Sequence, residues 1–148
     1  MPVIVVGADT PAGRAIVNRL ANRGGEVRAF ISSPDEAPSL RSRGIKVAIG
    51  DLSDHSHVEA AGVGAFCAVL VVAAAGDGRP LAFAAPEAAA TAWLQAMSAA
   101  GIRRVIVVGD SPPPDAPGIA ELATVPVSGR AMDDIAAAVA ALEEAERL

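Results

Sequence analysis

Val3-Ile4-Val5-Val6-Gly7-Ala8-Asp9-Thr10-Pro11-Ala12-Gly13-Arg14-Ala15-Ile16-Val17-Asn18 is the stretch that decides the fold. Its first four residues are β-branched without alternation, the pattern of a strand buried on both faces of a parallel sheet. Two glycines, Gly7 and Gly13, then frame a run of small residues, and Ile16, Val17 and Leu20 follow at helical spacing. A strand, a glycine-framed turn and a helix start bring unpaired backbone N–H groups and the positive end of a helix dipole to one point. The stretch therefore reads as an anion site.

Outward from it, strand and helix alternate. Val27 to Ile31, Ile45 to Ile49, Phe66 to Ala73 and Arg104 to Val108 read as further strands, and the run at Phe66, being the most apolar, belongs at the centre of the sheet. Between them lie a short helix or turn from Pro34 to Arg43, a polar turn and short helix from Asp51 to Gly62 that Ser53 or Asp54 caps, and a long helix from Pro86 to Ala100. Ser111 to Pro126 reads as a Pro-rich loop and Ala131 to Leu148 as the last helix, with Asp133 and Asp134 suited to its N-terminus. The expectation is an α/β fold, a doubly wound, Rossmann-like three-layer sandwich with a parallel sheet of about five strands, in a single domain over residues 1–148.

Composition narrows the function classes. The 148 residues are 52% hydrophobic with a formal charge of −5, and the twelve basic side chains are scattered, so a nucleic-acid footprint is not expected. Cys67 is the single cysteine and sits in an apolar run, which leaves no disulfide framework or thiolate metal site and points to the reducing cytoplasm. A strand beginning two residues after Met1 leaves no room for a signal peptide, and no apolar stretch has the length to span a bilayer, so no membrane is expected. His55 and His57, beside Asp51 and Asp54, point to different sides of a helix start without a third ligand, so no metal is expected. Arg103-Arg104 reads as a solvated turn.

The turn Gly7-Ala8-Asp9-Thr10-Pro11-Ala12-Gly13 resembles the GATGxxG of the extended and atypical short-chain dehydrogenases, the NmrA-like and biliverdin-reductase-B-like group. Asp9 stands where Thr is usual, and Thr10 where the middle Gly is usual. Three further segments are similar to the same family. Residues 19–29 (RLANRGGEVRA) follow its RLLxRGHxVRAL, residues 44–54 (GIKVAIGDLSD) its GVEVVxGDLxD, and residues 99–108 (AAGIRRVIVV) its AAxxGVKRxVxVS.

The resemblance implies a nicotinamide dinucleotide. Gly7, Asp9, Thr10, Ala12 and Gly13 would frame its pyrophosphate, Asp51 and Leu52 would border the adenine, and Ala73 and Ala74, with Ala75, would lie near the ribose and nicotinamide. A Cβ at Thr10 would push the ligand outward. Ser32 stands where NADP-dependent members carry Arg, with no basic partner beside it in sequence and no acid placed to grip the ribose of NAD. Asp9 would repel a 2′-phosphate by on the order of 1 kcal/mol at an effective dielectric near 20. The cofactor expected is NAD or NADP, with NAD preferred, or none if the altered turn is only a strand-to-helix connection.

Catalysis in Tyr-dependent members needs Tyr-x-x-x-Lys, and this chain has no Tyr and only one Lys, Lys46. The corresponding place reads Ser128-Gly129-Arg130-Ala131-Met132-Asp133-Asp134. Direct hydride transfer to a flavin, quinone or similar acceptor remains open, with Asp110 or Ser111 as proton donor; a buried Asp beside a nicotinamide would have a raised pKa, while the plainer and favoured role for Asp110 is that of a loop residue or cap. Family members continue into a substrate lobe, so the domain is expected to lack that C-terminal lobe. The alanines at 85, 88, 89, 92, 96 and 99, with the helix at 131–148, suggest a seam for a homodimer or a partner subunit. These residues imply a dinucleotide-binding sensor or regulator; the alternatives are a small NAD(P)H-dependent reductase and an interaction subunit with an empty site.

Overall fold

The computed structural model describes residues 1–83 and 85–148. β1 (Val3–Val6) is completely buried and is followed by α1 (Pro11–Ala21), β2 (Val27–Ile31), a 3₁₀ turn (Pro34–Glu36) that runs into α2 (Ala37–Ser42), and β3 (Lys46–Ile49). Then come α3 (His55–Gly62), β4 (Cys67–Val71) with a 3₁₀ turn at Val72–Ala75, α4 (Pro86–Ala99), β5 (Arg104–Val108), β6 (Glu121–Val125) and α5 (Met132–Glu144). The six strands are all parallel in the order β3-β2-β1-β4-β5-β6. The chain winds outward in both directions from the β1–β4 pair, where Val6 lies opposite Leu70. In such sheets a crevice opens at the carboxyl ends of the strands, at this switch point.

Strand alternation divides the core between the two faces. Val3 and Val5 of β1 pack with Ile16, Val17 and Leu20 of α1 and Ile135 and Val139 of α5. Ile4 and Val6 face the other way, toward Val58 of α3 and Trp93, Leu94 and Met97 of α4. The two helices expected to form a seam, α4 and α5, thus lie on opposite faces of the sheet. Ala89 and Ala96 of the small-residue stripe are buried against the sheet, while Ala85, Ala88 and Ala99 are exposed.

β6 is a correction. It lies inside the segment expected to be a loop and extends the sheet to six strands. Glu121, Leu122, Ala123 and Thr124 are not a β-branched run, and only Val125 is fully buried, so the strand carries the pattern of an edge.

Arg104 is a second correction, since it is buried in β5 with 1% of its surface exposed rather than lying in a solvated turn. Its Nε donates to Glu121 Oε2 at 2.7 Å, and Nη1 donates to the carbonyls of Leu142 and Glu143 at 2.9 Å and to that of Ala145. The guanidinium lies 5.2 Å from the centre of the Phe66 ring. A cation at a helix C-terminus satisfies orphan carbonyls and opposes the negative end of the dipole, so Arg104 fastens α5 to the sheet edge.

Arg104→Ala should lower unfolding free energy by about 3 kcal/mol in urea titrations, because it strips partners from a buried cluster. The hydrogen bond from Arg104 holds the Glu121 carboxyl below its ordinary value near 4.5. The Glu121 contribution should therefore be complete above that value and fade as the pH falls through the lowered one, a loss that Glu121→Gln removes.

Candidate functional site

The site is built where β1 turns into α1. Gly7 carries φ 85°, in the left-handed region, and its N–H and that of Ala8 donate to Phe30 O at 3.1 and 3.4 Å, which ties the turn to the end of β2. A Cβ on Gly7 would lie 2.9 Å from the Cβ of Ala74. One on Gly13 would run into the Gly7 carbonyl oxygen and lie 2.8 Å from Ala8 Cα. Both glycines are thus required by close approach. Ala74, buried beneath Gly7, packs the turn onto the end of β4, whereas Ala73 beside it is exposed.

Thr10 turns inward, contrary to the expectation that it obstructs a ligand. It caps α1: its Oγ1 accepts from Gly13 N at 2.9 Å and donates to Gly7 O at 2.7 Å, and 1% of the residue is exposed. Pro11 has no N–H, and the N–H groups of Asp9 and Ala12 have no hydrogen-bond partner among the described residues. Amides left open at the positive end of an eleven-residue helix suit a diphosphate, and the groove they border is one that a Cβ at Gly7 or Gly13 would disturb.

Asp9 and Ser32 meet at the end of β2 together with a residue that sequence proximity did not reveal. Asp9 Oδ2 accepts from the N–H groups of Ser32 and Ser33 at 3.1 and 3.2 Å, and Asp9 Oδ1 accepts from Arg79 Nη1 at 2.7 Å. The same Nη1 donates to Ser32 Oγ at 2.9 Å. Arg79 Nε and Nη2 also engage Asp77, at 2.9 and 2.6 Å. Hydrogen bonding by Asp77, and then by Asp9, raises the guanidinium pKa and secures its charge, while the bond from Arg79 lowers that of Asp77. The expectation that Ser32 lacks a basic partner and a neighbouring acid is corrected: both arrive from distant parts of the chain. The signal available was a lone Arg between Gly78 and Pro80, in a loop otherwise without bulk.

The loop after β4 is held down a second time, where Ala82 N donates to Ser53 Oγ at 3.0 Å. Ser53 belongs to the turn of Asp51 and Leu52. Asp51 is exposed, and its carboxylate accepts from Ser53 N at 2.8 Å and from the Ser53 hydroxyl, bonds that lower its pKa. The Leu52 side chain is in the core, and its carbonyl accepts from Trp93 Nε1 at 2.7 Å. Asp54 caps α3 through the N–H groups of Ser56 and His57. No group of three or more potential metal ligands occurs among the described residues.

Asp110 differs from the buried acid pictured above. It is exposed, and its carboxylate accepts from Val127 N at 2.8 Å, Ser128 N at 3.1 Å and the Ser128 hydroxyl. The Ser128 bonds lower its pKa, so at neutral pH it is an anion bracing the turn before α5 and not a proton donor. Ser111, next to it, lines a pocket of about 220 Å³. Val72, Pro86, Ala90, Val107 and Pro112 give it an apolar wall at the carboxyl ends of β4 and β5, and Glu87 and Thr91 line it as well. The turn and the pocket lie at the same carboxyl-terminal end of the parallel strands.

The model of a family described as NAD(P)H-binding matches residues 7–147. The chain belongs to this NAD(P)H-binding family. No curated protein matches its sequence. Among solved structures, ChuY, an anaerobilin reductase from Escherichia coli O157:H7, superposes with TM-score 0.73 at 18% identity, over 99% of this chain and 92% of that one. A Bacteroides thetaiotaomicron protein described as an epimerase does so with 0.74 at 16%, over the same shares. The Citrobacter sp. triphenylmethane reductase complexed with NADP(H) gives 0.62 at 17%, and this NAD(P)H-binding chain spans only 37% of its length. These likenesses show a shared Rossmann-like fold. No helix of the described residues is long and apolar enough to cross a membrane.

Thr10→Ala should destabilise this NAD(P)H-binding domain by about 1 kcal/mol in urea unfolding, the ordinary worth of a helix N-cap. An unchanged midpoint would show that Thr10 does not hold the turn.

Proposed function

We propose that the chain binds a nicotinamide dinucleotide and, having no acid–base machinery of its own, acts as a sensor or regulator that responds to that ligand. The family match supports the ligand. One observation supports the rest: Asp110, which lines the pocket together with Glu87, is an anion consumed in bracing a neighbouring turn. The chain has no Tyr, and its single Lys, Lys46, sits on β3 at the far edge of the sheet and pairs with Glu26 at 3.0 Å. The sequence therefore offers no Tyr–Lys pair to hold and move a proton. Gly7, Gly13 and the open amides of Asp9 and Ala12 would hold the diphosphate.

A second reading is favoured by the apolar pocket beside Ser111. A dinucleotide carried across the turn would supply hydride chemistry near that pocket, where an apolar acceptor such as a flavin or quinone could pack without a protein acid. ChuY, similar in length to this chain, is named a reductase and gives this reading some support. We place the protein in the cytoplasm, and a second copy or partner subunit against the exposed alanines of α4.

Titration of NADH and NADPH by calorimetry should give saturable binding to at least one of them. Incubating the protein with reduced dinucleotide and flavin or quinone should leave the nicotinamide absorbance at background; turnover above background would replace the sensor by the reductase. Absence of heat and of any thermal shift with either dinucleotide would leave the interaction subunit.

A further inference from the structure

Asp9 is placed to do more than close a turn. Its carboxylate is buried at the end of β2 with side-chain exposure of 3%, gathered in by the Ser32 and Ser33 amides and covered by Arg79. Resting on the dinucleotide-binding reading above, we propose that Asp9 is the acceptor for the adenosine ribose hydroxyls of NAD(H), and that Arg79 is a movable cover over it which decides access. In this chain the acid comes from the first glycine turn instead of following β2.

The donors and acceptors at this place settle which ribose suits it. An anion such as a 2′-phosphate needs donors, and those at Asp9 are the Ser32 and Ser33 amides, the Ser32 hydroxyl and the Arg79 guanidinium. Asp9 already takes both amides and the guanidinium. An entering phosphate dianion would meet the carboxylates of Asp9 and Asp77 beside Arg79, while the second guanidinium within reach of Asp9, that of Arg14, is already paired with Glu36. An unphosphorylated ribose instead brings two hydroxyl donors, which a carboxylate accepts well.

The cover has somewhere to go. Arg79 holds Asp9 through Nη1 alone, whereas Nε and Nη2 make three contacts with Asp77 in its own loop, at 2.9, 3.1 and 2.6 Å. When Nη1 leaves, the guanidinium keeps its counter-ion. Asp9 Oδ1 and the Ser32 hydroxyl, both held by that nitrogen, are released together. The Ser32 and Ser33 amides meanwhile keep Oδ2 in place, so the acceptor is already oriented when it is uncovered.

The test is calorimetric titration of NADH and NADPH into the full-length protein and into Asp9→Asn and Arg79→Ala, with a thermal melt of each to confirm folding. The native chain should take NADH at least about tenfold more tightly than NADPH, and Asp9→Asn should lose about tenfold or more toward NADH while narrowing that ratio, as expected when a charged hydrogen-bond acceptor is removed. Arg79→Ala should bind NADH more tightly than the native chain, because the ligand no longer has to displace the cover. Should Asp9→Asn fail to fold, Arg79→Ala decides: tighter NADH binding supports the proposal, and unchanged or weaker binding overturns it. Tighter binding of NADPH by the native chain, or an unchanged ratio in folded Asp9→Asn, also overturns it and leaves dinucleotide binding standing. Binding of neither by any of the three overturns the dinucleotide reading itself, and this proposal with it.

Discussion

The close approach of Gly7 to Gly13 is the constraint on which the rest of the molecule depends. The backbone leaving β1 must reverse within a few residues and enter α1, and it does so with the Gly7 carbonyl directly under Gly13, where a Cβ has no room. Thr10 locks that reversal from inside, one hydroxyl serving both the Gly7 carbonyl and the Gly13 amide. The family's middle glycine gives way here to a residue that buries its side chain and acts as a helix cap. Local rigidity therefore comes from a hydrogen bond rather than from minimal bulk, and the outward amides of Asp9 and Ala12 are left open by the same arrangement.

From that turn the charge pattern of the site follows. Because Gly7 and Ala8 hang on the Phe30 carbonyl, Asp9 is delivered to the first amides beyond β2. A carboxylate with 3% of its side chain exposed needs a cation, and Arg79 supplies it from the loop beyond β4. That loop is then fixed across the crevice at two points, Arg79 on Asp9 and Ala82 on Ser53. Packing at the turn, neutralisation of Asp9 and cover over the crevice are consequences of one another.

What the sequence revealed, and what it concealed, divides along the range of the interactions. The strands at Val3 and Cys67 were legible because burial on both faces writes itself as unbroken apolar runs, and those at Val27 and Arg104 because a single Arg is all that interrupts theirs. β6 was not, since an edge strand needs no such run, and Glu121 and Thr124 are acceptable there only because one side faces solvent. At the site, the glycine frame is local and could be read directly. The pairing of Asp9 with Arg79 spans 70 residues and is made by folding alone. Arg104 misled for the same reason: a basic residue before a strand looks solvated until α5, thirty-eight or more residues on, brings its terminal carbonyls to the guanidinium.

Asp110 shows how the same principle bears on chemistry. Beside an apolar pocket, a carboxyl without donors would have its pKa pushed up and be available as an acid. Here β6 runs parallel to β5, so Val127 and Ser128, just beyond its end, arrive level with the residues that follow β5. Two amides and a hydroxyl converge on Asp110 and favour its charged form. The strand hidden in an apparent loop thus removes the proton donor that the sequence had offered. The pocket beside Ser111 is lined largely by apolar groups, with an Asp110 whose oxygens are already engaged by the turn before α5.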